Sequence, residues 1–158
     1  MRTLAIDLGT KRVGLALSDQ GGQYATPFDV LTVSSPEQAL SQVAAVIAEE
    51  GVEQIVLGLP LNMDDSVGPA ARSALTWGQL LAAQSGKPVL YVDERLSSFA
   101  AEQTLADRRK AGEKLTRGRK KQQLDAVAAA TFLRQFLDGQ LQPLPKDWVA
   151  SHTRGADN

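Results

Sequence analysis

The feature that most constrains this chain is an acidic residue inside a short apolar stretch near its start. Residues 2–8 and 12–18 are two largely apolar stretches that flank a Gly-containing turn, and Asp7 lies in the first of them. This pattern predicts a β-hairpin with a carboxylate held in one strand. An ionised carboxylate among Leu and Ile is costly unless a cation compensates it. Asp7 is therefore a candidate metal ligand.

Two other interpretations of Asp7 stay open at this point. An Asp at the end of a strand often caps the following turn through its own side chain. The tetrapeptide Asp-Leu-Gly-Thr at 7–10 is also a phosphate-binding pattern in actin-like and sugar-kinase ATPases. Those enzymes close two related lobes on a nucleotide, whereas this chain has the length for one lobe and lacks a second Gly-rich phosphate loop.

The composition narrows the chemistry that the chain can support. Its 158 residues suit one domain with one substantial core. It has no cysteine, which excludes disulfides and cysteine nucleophiles, and its one histidine, His152, lies in a polar C-terminal tail. The N-terminus enters a strand pattern without a signal-peptide region, and no apolar run reaches the ~18 residues of a membrane span. We therefore expect a cytoplasmic protein without membrane contact.

Turn residues and hydrophobic periodicity predict an α/β fold. The predicted segments are strands at 2–8, 12–18 and 24–33, a helix from Pro36 to Gly51, a strand at 54–60, a helix from Ser66 or Gly68 to Gly86, a strand at 89–92, a short helix through Ala101 and Ala106, a basic loop at 108–121 and a helix at 122–137. The order βββ-α-β-α-β-α-α predicts a mixed five-stranded sheet with helices on both faces. We expect one domain over residues 1–138 and a mobile tail over residues 139–158, from which Trp148 could dock on the domain.

Two more acidic residues lie where a sheet-based metal site needs them. Glu94 follows the last strand, and sites in open α/β sheets form beyond the carboxyl ends of strands. Asp125 shares a helical stripe with Ala129 and Phe132, so it is predicted to point toward the sheet. Asp93 is an alternative to Glu94, because alternation lets only one of them face the site, and Asp125 could instead complement the helix dipole. Oxygen ligands without His or Cys suit Mg²⁺ or Mn²⁺.

Four motifs occur in series along the chain: Asp7-Leu-Gly-Thr-Lys-Arg-Val-Gly14, Gly58-Leu-Pro-Leu-Asn-Met-Asp64, Val92-Asp-Glu-Arg-Leu-Ser-Ser98 and Asp125-Ala-Val-Ala-Ala129. Together they resemble the YqgF/RuvX family, whose members are described as Holliday junction resolvases and as nucleases of pre-16S ribosomal RNA maturation. The resemblance covers residues 2–138 and implies a ribonuclease-H-like fold with an acidic triad at Asp7, Glu94 and Asp125. The family usually has Gly where this chain has Asp65, which adds an acid beside the expected cleft and leaves the shape of this loop open.

A basic segment precedes Asp125. Residues 108–121 have a net charge of +7, whereas the rest of the chain has a net charge of −8. A positive segment beside an acidic site can bind phosphates and guide a nucleic-acid backbone to the metals. The alternative is that these charges are solvated and have no partner. The residues predicted to bind nucleic acid are Lys11, Arg12, Arg72, Arg108, Arg109, Lys110, Lys114, Arg117, Arg119, Lys120 and Lys121.

These observations predict a metal-dependent nuclease that hydrolyses phosphodiester bonds, in pre-16S rRNA processing, in Holliday junction resolution or in both. Asp7 is predicted to bridge two Mg²⁺ or Mn²⁺ ions, with Glu94 and Asp125 completing their ligand shells. A non-catalytic nucleic-acid-binding module of the same fold is the alternative, and metal-dependent turnover distinguishes the two. The sequence does not separate RNA from branched DNA as the substrate. A junction resolvase needs two sites and therefore a homodimer.

Overall fold

The predicted N-terminal hairpin forms the middle of the sheet. The computed structural model describes residues 1–97 and 117–154. Its elements are β1 (Thr3–Leu8), β2 (Arg12–Ser18), β3 (Ala25–Thr32), α1 (Pro36–Glu50), β4 (Gln54–Leu59), α2 (Pro69–Ser85), β5 (Val89–Asp93), a 3₁₀ turn (Glu94–Leu96), α3 (Arg117–Leu137) and α4 (Lys146–Arg154). The strands follow the order β3-β2-β1-β4-β5 in one five-stranded sheet.

The sheet is mixed, as predicted. β1 pairs antiparallel with β2, and β2 pairs antiparallel with β3. On the other side, β1, β4 and β5 run parallel to one another. The carboxyl ends of these three parallel strands therefore meet at one edge of the sheet, which is where binding sites form in α/β folds.

The sheet is covered on both faces, and alternation along β1 shows how. Leu4 and Ile6 are fully buried in the larger apolar cluster, which includes residues of α1 and α2. Ala5 points to the opposite face and packs in a second cluster with Phe132 and Leu133 of α3. Because successive strand residues face opposite sides, one apolar strand contributes to both clusters. The predicted mixed sheet with helices on both faces is confirmed.

The helices begin and end at the residues that local rules favour. Ser35 caps α1 by accepting a hydrogen bond from the Gln38 N–H at 3.1 Å, and Pro36 occupies the first turn. Gly51 ends α1 in the left-handed conformation with φ +64°. Gly68 is the residue before α2, so the second of the two predicted helix starts is the correct one. None of the helices in the described ranges is both long and apolar enough to span a membrane.

The start of α3 corrects the sequence interpretation. The helix was expected at 122–137 after a basic loop at 108–121, but it begins at Arg117. Arg and Lys are good helix formers, so a run of positive charge can extend a helix instead of ending it. The short helix predicted through Ala101 and Ala106 lies outside the described residues.

Part of the segment after α3 packs on the domain. Leu141 is buried in the apolar cluster beneath α3, and the Leu144 N–H donates to the carbonyl of Tyr91 on β5 at 2.7 Å. Trp148, on α4, packs against the larger cluster, as the sequence allowed. These apolar side chains give the segment enough buried surface to offset the entropy of ordering it.

Close contact between α3 and β2 depends on Gly14. A Cβ at Gly14 would lie 2.1 Å from the carbonyl oxygen of Asp125 and 2.4 Å from its carbonyl carbon. Backbone atoms cannot move aside as a flexible side chain can. The absence of a side chain at Gly14 therefore sets the distance at which α3, and Asp125 with it, lies on the sheet.

We expect Gly14→Ala to lower the free energy of unfolding by about 1–3 kcal/mol, because the added methyl group overpacks the contact between α3 and β2. Urea unfolding of the full chain measures the change. Gly21→Ala is the matched control, because a Cβ there would meet only the exposed Asp19 side chain, at 3.2 Å. Equal effects of the two substitutions would contradict the assigned role of Gly14.

Candidate active site

Asp7 lies at the carboxyl edge of the sheet, near the end of the central strand. It is half-buried and faces Gly14 across the hairpin. Burial raises the pKa of Asp7 above the ordinary value of an aspartate. A hydrogen bond with Glu94 lowers this pKa in part, and the negative charge of Asp125 raises it. Asp7 is therefore in direct contact with one predicted acid and within electrostatic range of the other.

Glu94 follows β5 directly and contacts Asp7 from the other side of β4. A Cβ at Gly58 of β4 would lie 2.6 Å from Glu94 Cγ, so the glycine provides the space for this side chain. Burial raises the pKa of Glu94 to about 8, and the charge of Asp7 and the hydrogen bond between them contribute to the rise. At neutral pH Glu94 is thus mainly protonated and donates a hydrogen bond to the Asp7 carboxylate.

Arg95 binds the neighbouring Asp93, whose charge still contributes to the raised pKa of Glu94. The backbone N–H and Nε of Arg95 donate to Asp93 Oδ1 at 3.0 Å, and its Nη2 donates to Asp93 Oδ2 at 2.7 Å. Arg95 Nη1 also donates to the carbonyl of Asn62 in the loop between β4 and α2. The structure therefore places Glu94, and not Asp93, beside Asp7.

Asp65, where the chain departs from the family pattern, keeps a backbone shape that glycine adopts easily. Its φ is +68°, in the left-handed region that Asp tolerates better than most residues. Its exposed carboxylate accepts a hydrogen bond from Arg95 Nη2 at 2.7 Å. The additional acid is thus paired with Arg95, and the loop retains the conformation that a glycine would allow.

Asp125 lies on α3 where the helix crosses β2, and its side chain is half-buried. Its Oδ2 accepts a hydrogen bond from Arg12 Nε at 2.9 Å. Asp7, Arg12 and Asp125 line a cavity of about 220 Å³ together with residues 9–11. Of the three predicted acids, the structure thus places Asp7 in contact with Glu94 and beside the same cavity as Asp125, which is bound to Arg12.

The predicted nucleic-acid ligands are only partly gathered at this cavity. Lys11 and Arg12 line it, and Arg72 is exposed on the first turn of α2. Four of the basic residues lie outside the described part of the chain: Arg108, Arg109, Lys110 and Lys114. Four others lie on the first turns of α3, on the N-terminal side of Asp125: Arg117, Arg119, Lys120 and Lys121.

Three residues that shape the site were given no role by the sequence reasoning. Gly14 and Gly58 make room for Asp125 and Glu94, and Arg95 holds Asp93. A glycine inside an apolar strand pattern often marks a close approach of another group, and this signal could have identified the first two. Arg95 has no comparable local signal, because its partners in the loop between β4 and α2 are about 30 residues away.

The three carboxylates are of the chemical type that binds a hard divalent cation. In this structure, however, they are not arranged as a complete set of metal ligands. All three candidate ligands are carboxylates, and two have raised pKa values that a cation would relieve. Among residues 1–97 and 124–153, no three acidic or histidine side chains are grouped closely enough to hold a metal as they stand. Asp125 already binds the guanidinium group of Arg12 through Oδ2.

Solved structures show the class of fold. The chain is similar to Thermus thermophilus RuvC in complex with a Holliday junction substrate, with a TM-score of 0.59 and 18% identity, over 91% of this chain and 99% of that one. A second T. thermophilus RuvC structure matches with a TM-score of 0.54 and 20% identity, over 91% of this chain and 100% of that one. The predicted ribonuclease-H-like fold is confirmed.

Sequence comparisons show the family. The model of the RuvX family, described as Holliday junction resolvase, matches residues 1–139. A relative from Anaeromyxobacter sp. (strain Fw109-5) is 44% identical over 89% of this chain and 98% of its own length. One from Chloroflexus aggregans is 40% identical over 89% of this chain and 95% of its own length. One from Acidiphilium cryptum is 36% identical over 92% of this chain and 89% of its own length. All three are named "Putative pre-16S rRNA nuclease". The chain belongs to the RuvX family and is a nuclease, as the resemblance predicted.

The shared proton predicts how stability depends on pH in the absence of divalent ions. Because the folded-state pKa of Glu94 is raised to about 8, its stabilising contribution is complete below its ordinary pKa of 4.5 and is lost as the pH rises through 8. The Tm of the wild-type chain should therefore fall relative to that of Glu94→Gln as the pH increases. Thermal unfolding in a chelator between pH 5 and about 9 measures the difference. The exposed Glu49→Gln is the control, and a difference that does not vary with pH would contradict the shared proton.

Proposed function

We propose that Asp7, Glu94 and Asp125 form the catalytic centre of this nuclease and hold Mg²⁺ or Mn²⁺. The contact between Asp7 and Glu94 carries the proposal, because it places two half-buried carboxyl groups against each other at the carboxyl edge of the sheet. Burying two acids against each other costs free energy unless their charge is compensated. A divalent cation in place of the shared proton would relieve that cost.

The protein groups have distinct tasks in the proposed reaction. A bound divalent ion supplies acidification of the attacking water and stabilisation of the leaving oxygen. Glu94 has to release its proton to solvent before it can act as a ligand, so acidic pH should oppose the reaction. Gly58 keeps the Glu94 carboxyl group in contact with Asp7, and Gly14 fixes the approach of Asp125.

Positive charge around the site supports binding of a nucleic-acid backbone. Lys11 is exposed at the cavity, and α3 begins with a basic stretch that leads to Asp125. Phosphate contacts of this kind fix the register of a strand without reading its sequence. Arg72, in the first turn of α2, is a third contact in the proposal, since the N–H groups at a helix start also favour phosphate.

We propose a ribosomal RNA precursor as the first substrate to test. The relatives that are 36–44% identical are named for pre-16S rRNA, whereas the RuvC structures at 18–20% identity inform only the fold. A four-way DNA junction is the second candidate, because the family model is described as a resolvase. Symmetrical cleavage of a junction would require a homodimer. The cytoplasmic location is part of this proposal.

Asp7→Asn should lower the cleavage rate by more than about 100-fold, because loss of a direct metal ligand exceeds the 10- to 100-fold effect of outer-shell changes. Binding to the nucleic acid should remain, because the basic residues are unchanged. The measurement is cleavage of single-stranded RNA, single-stranded DNA and an immobile four-way junction, with Mg²⁺ and Mn²⁺ separately. Asp138→Asn, an exposed substitution just after α3, is the matched control.

The outcomes separate the candidate functions. Cleavage of RNA with the junction intact supports a processing ribonuclease. Symmetrical cleavage of the junction supports a resolvase that acts as a dimer. Cleavage by Asp7→Asn at the rate of the wild type would contradict the assignment of the catalytic centre. If the wild-type chain binds nucleic acid but cleaves none of the substrates, a non-catalytic binding module is favoured.

A further inference from the structure

The ion pair between Arg12 and Asp125 joins two residues that the proposed function treats separately. Arg12 is the first residue of β2, Asp125 lies on α3, and they are 113 positions apart in the chain. Arg12 Nε donates to Asp125 Oδ2 at 2.9 Å, and the two side chains are 33% and 29% exposed. Both line the same cavity as Asp7. A predicted phosphate ligand is therefore bound to a predicted metal ligand.

The other two acids of the site have no such partner. Among the ion pairs within residues 1–97 and 124–153, none joins a Lys or Arg to Asp7 or Glu94, and these two carboxyl groups contact each other instead. Asp125 is the one member of the predicted triad that is neutralised by a described cationic side chain. Among the described residues, Arg12 thus pairs with Asp125, whereas Asp7 and Glu94 pair with no cationic side chain.

We propose that Arg12 holds Asp125 in the free protein and exchanges this carboxylate for a backbone phosphate when nucleic acid binds, which releases Asp125 to ligate a divalent cation. The inference rests on the proposed function of the site. A guanidinium group binds phosphate and carboxylate with the same planar arrangement of N–H donors, so the exchange needs no new chemistry. Lys11 is exposed beside Arg12, so a phosphate attracted to Lys11 arrives next to the guanidinium.

The exchange couples two binding events. While Arg12 occupies Oδ2 of Asp125, a cation has to compete with the guanidinium for that oxygen. A phosphate that takes the guanidinium removes the competitor, so bound nucleic acid raises the affinity for the cation. By reciprocity the cation raises the affinity for nucleic acid to the same extent. Arg12 is in this sense a positioning residue that favours assembly of the complete centre on a bound substrate.

The first experiment is calorimetric titration of the full chain with Mn²⁺ in the absence of nucleic acid. Arg12→Gln should bind Mn²⁺ about 5- to 10-fold more tightly than the wild type, because the competing cation is gone. Arg12→Lys should increase the affinity for Mn²⁺ by a smaller factor, because the lysine ammonium group still neutralises Asp125 but lacks the planar N–H donors of a guanidinium group. Lys11→Gln controls for the loss of a nearby positive charge and should change the affinity by less than about 2-fold, since its charge is exposed and screened.

The second experiment measures fluorescence anisotropy of a single-stranded RNA oligonucleotide in a chelator, where metal-dependent cleavage is absent. Arg12→Gln should weaken binding and reduce the slope of log affinity against log salt by about 1, the effect of one lost phosphate contact. Thermal unfolding verifies that each variant is folded, and Arg12→Lys provides the test if Arg12→Gln does not fold. RNA binding equal to that of the wild type would overturn the phosphate half of the exchange.

The Mn²⁺ titration also distinguishes failure of the exchange from failure of the active site. The exchange is overturned if Arg12→Gln binds Mn²⁺ no more tightly than the wild type does. The proposed metal centre is still supported in that case if the wild type binds Mn²⁺ and Asp7→Asn abolishes this binding. In that case the ion pair is a permanent structural contact. Failure of both the wild-type chain and Arg12→Gln to bind Mn²⁺ overturns both proposals.

Discussion

The contact between the carboxyl groups of Asp7 and Glu94 imposes the tightest requirements on the rest of the fold. The two carboxyl groups can meet only if β1, β4 and β5 run parallel and end at the same edge. They also need a strand between them without a side chain at the crossing point, which Gly58 provides. A glycine inside a strand weakens the strand through its conformational entropy. At this position the absence of a side chain allows the two acids to make contact. The arrangement of the sheet and the chemistry of the site thus depend on each other.

Much of the fold could be predicted from the sequence, because its elements follow local rules. Strand alternation, the Ser35 cap and the glycine at the end of α1 all act over a few residues. The start of α3 could not be placed, because a run of Arg and Lys is compatible with a loop and with a helix, and only packing further along the chain decides. The burial of Leu141 could not be predicted for a similar reason, since it depends on a surface formed by distant strands.

The same distinction applies to the site. Asp7, Glu94 and Asp125 were identifiable because each stands out locally, as an acid in an apolar strand, after a strand or on an apolar helical stripe. The pairing of Asp125 with Arg12 has no local signature, because it arises when α3 approaches β2 closely at Gly14. Sequence patterns therefore indicated which groups gather, whereas the partner of each group depends on three-dimensional packing.

The two outer strands of the sheet are protected from pairing with another chain. On β5, the Tyr91 carbonyl is already bound by the Leu144 N–H, so the tail takes up a group that an incoming strand would use. On β3, Pro27 lacks an N–H, and the register shifts between Leu15 and Ala16 on the neighbouring strand. Joining of two sheets edge to edge is thus disfavoured, which guards against aggregation.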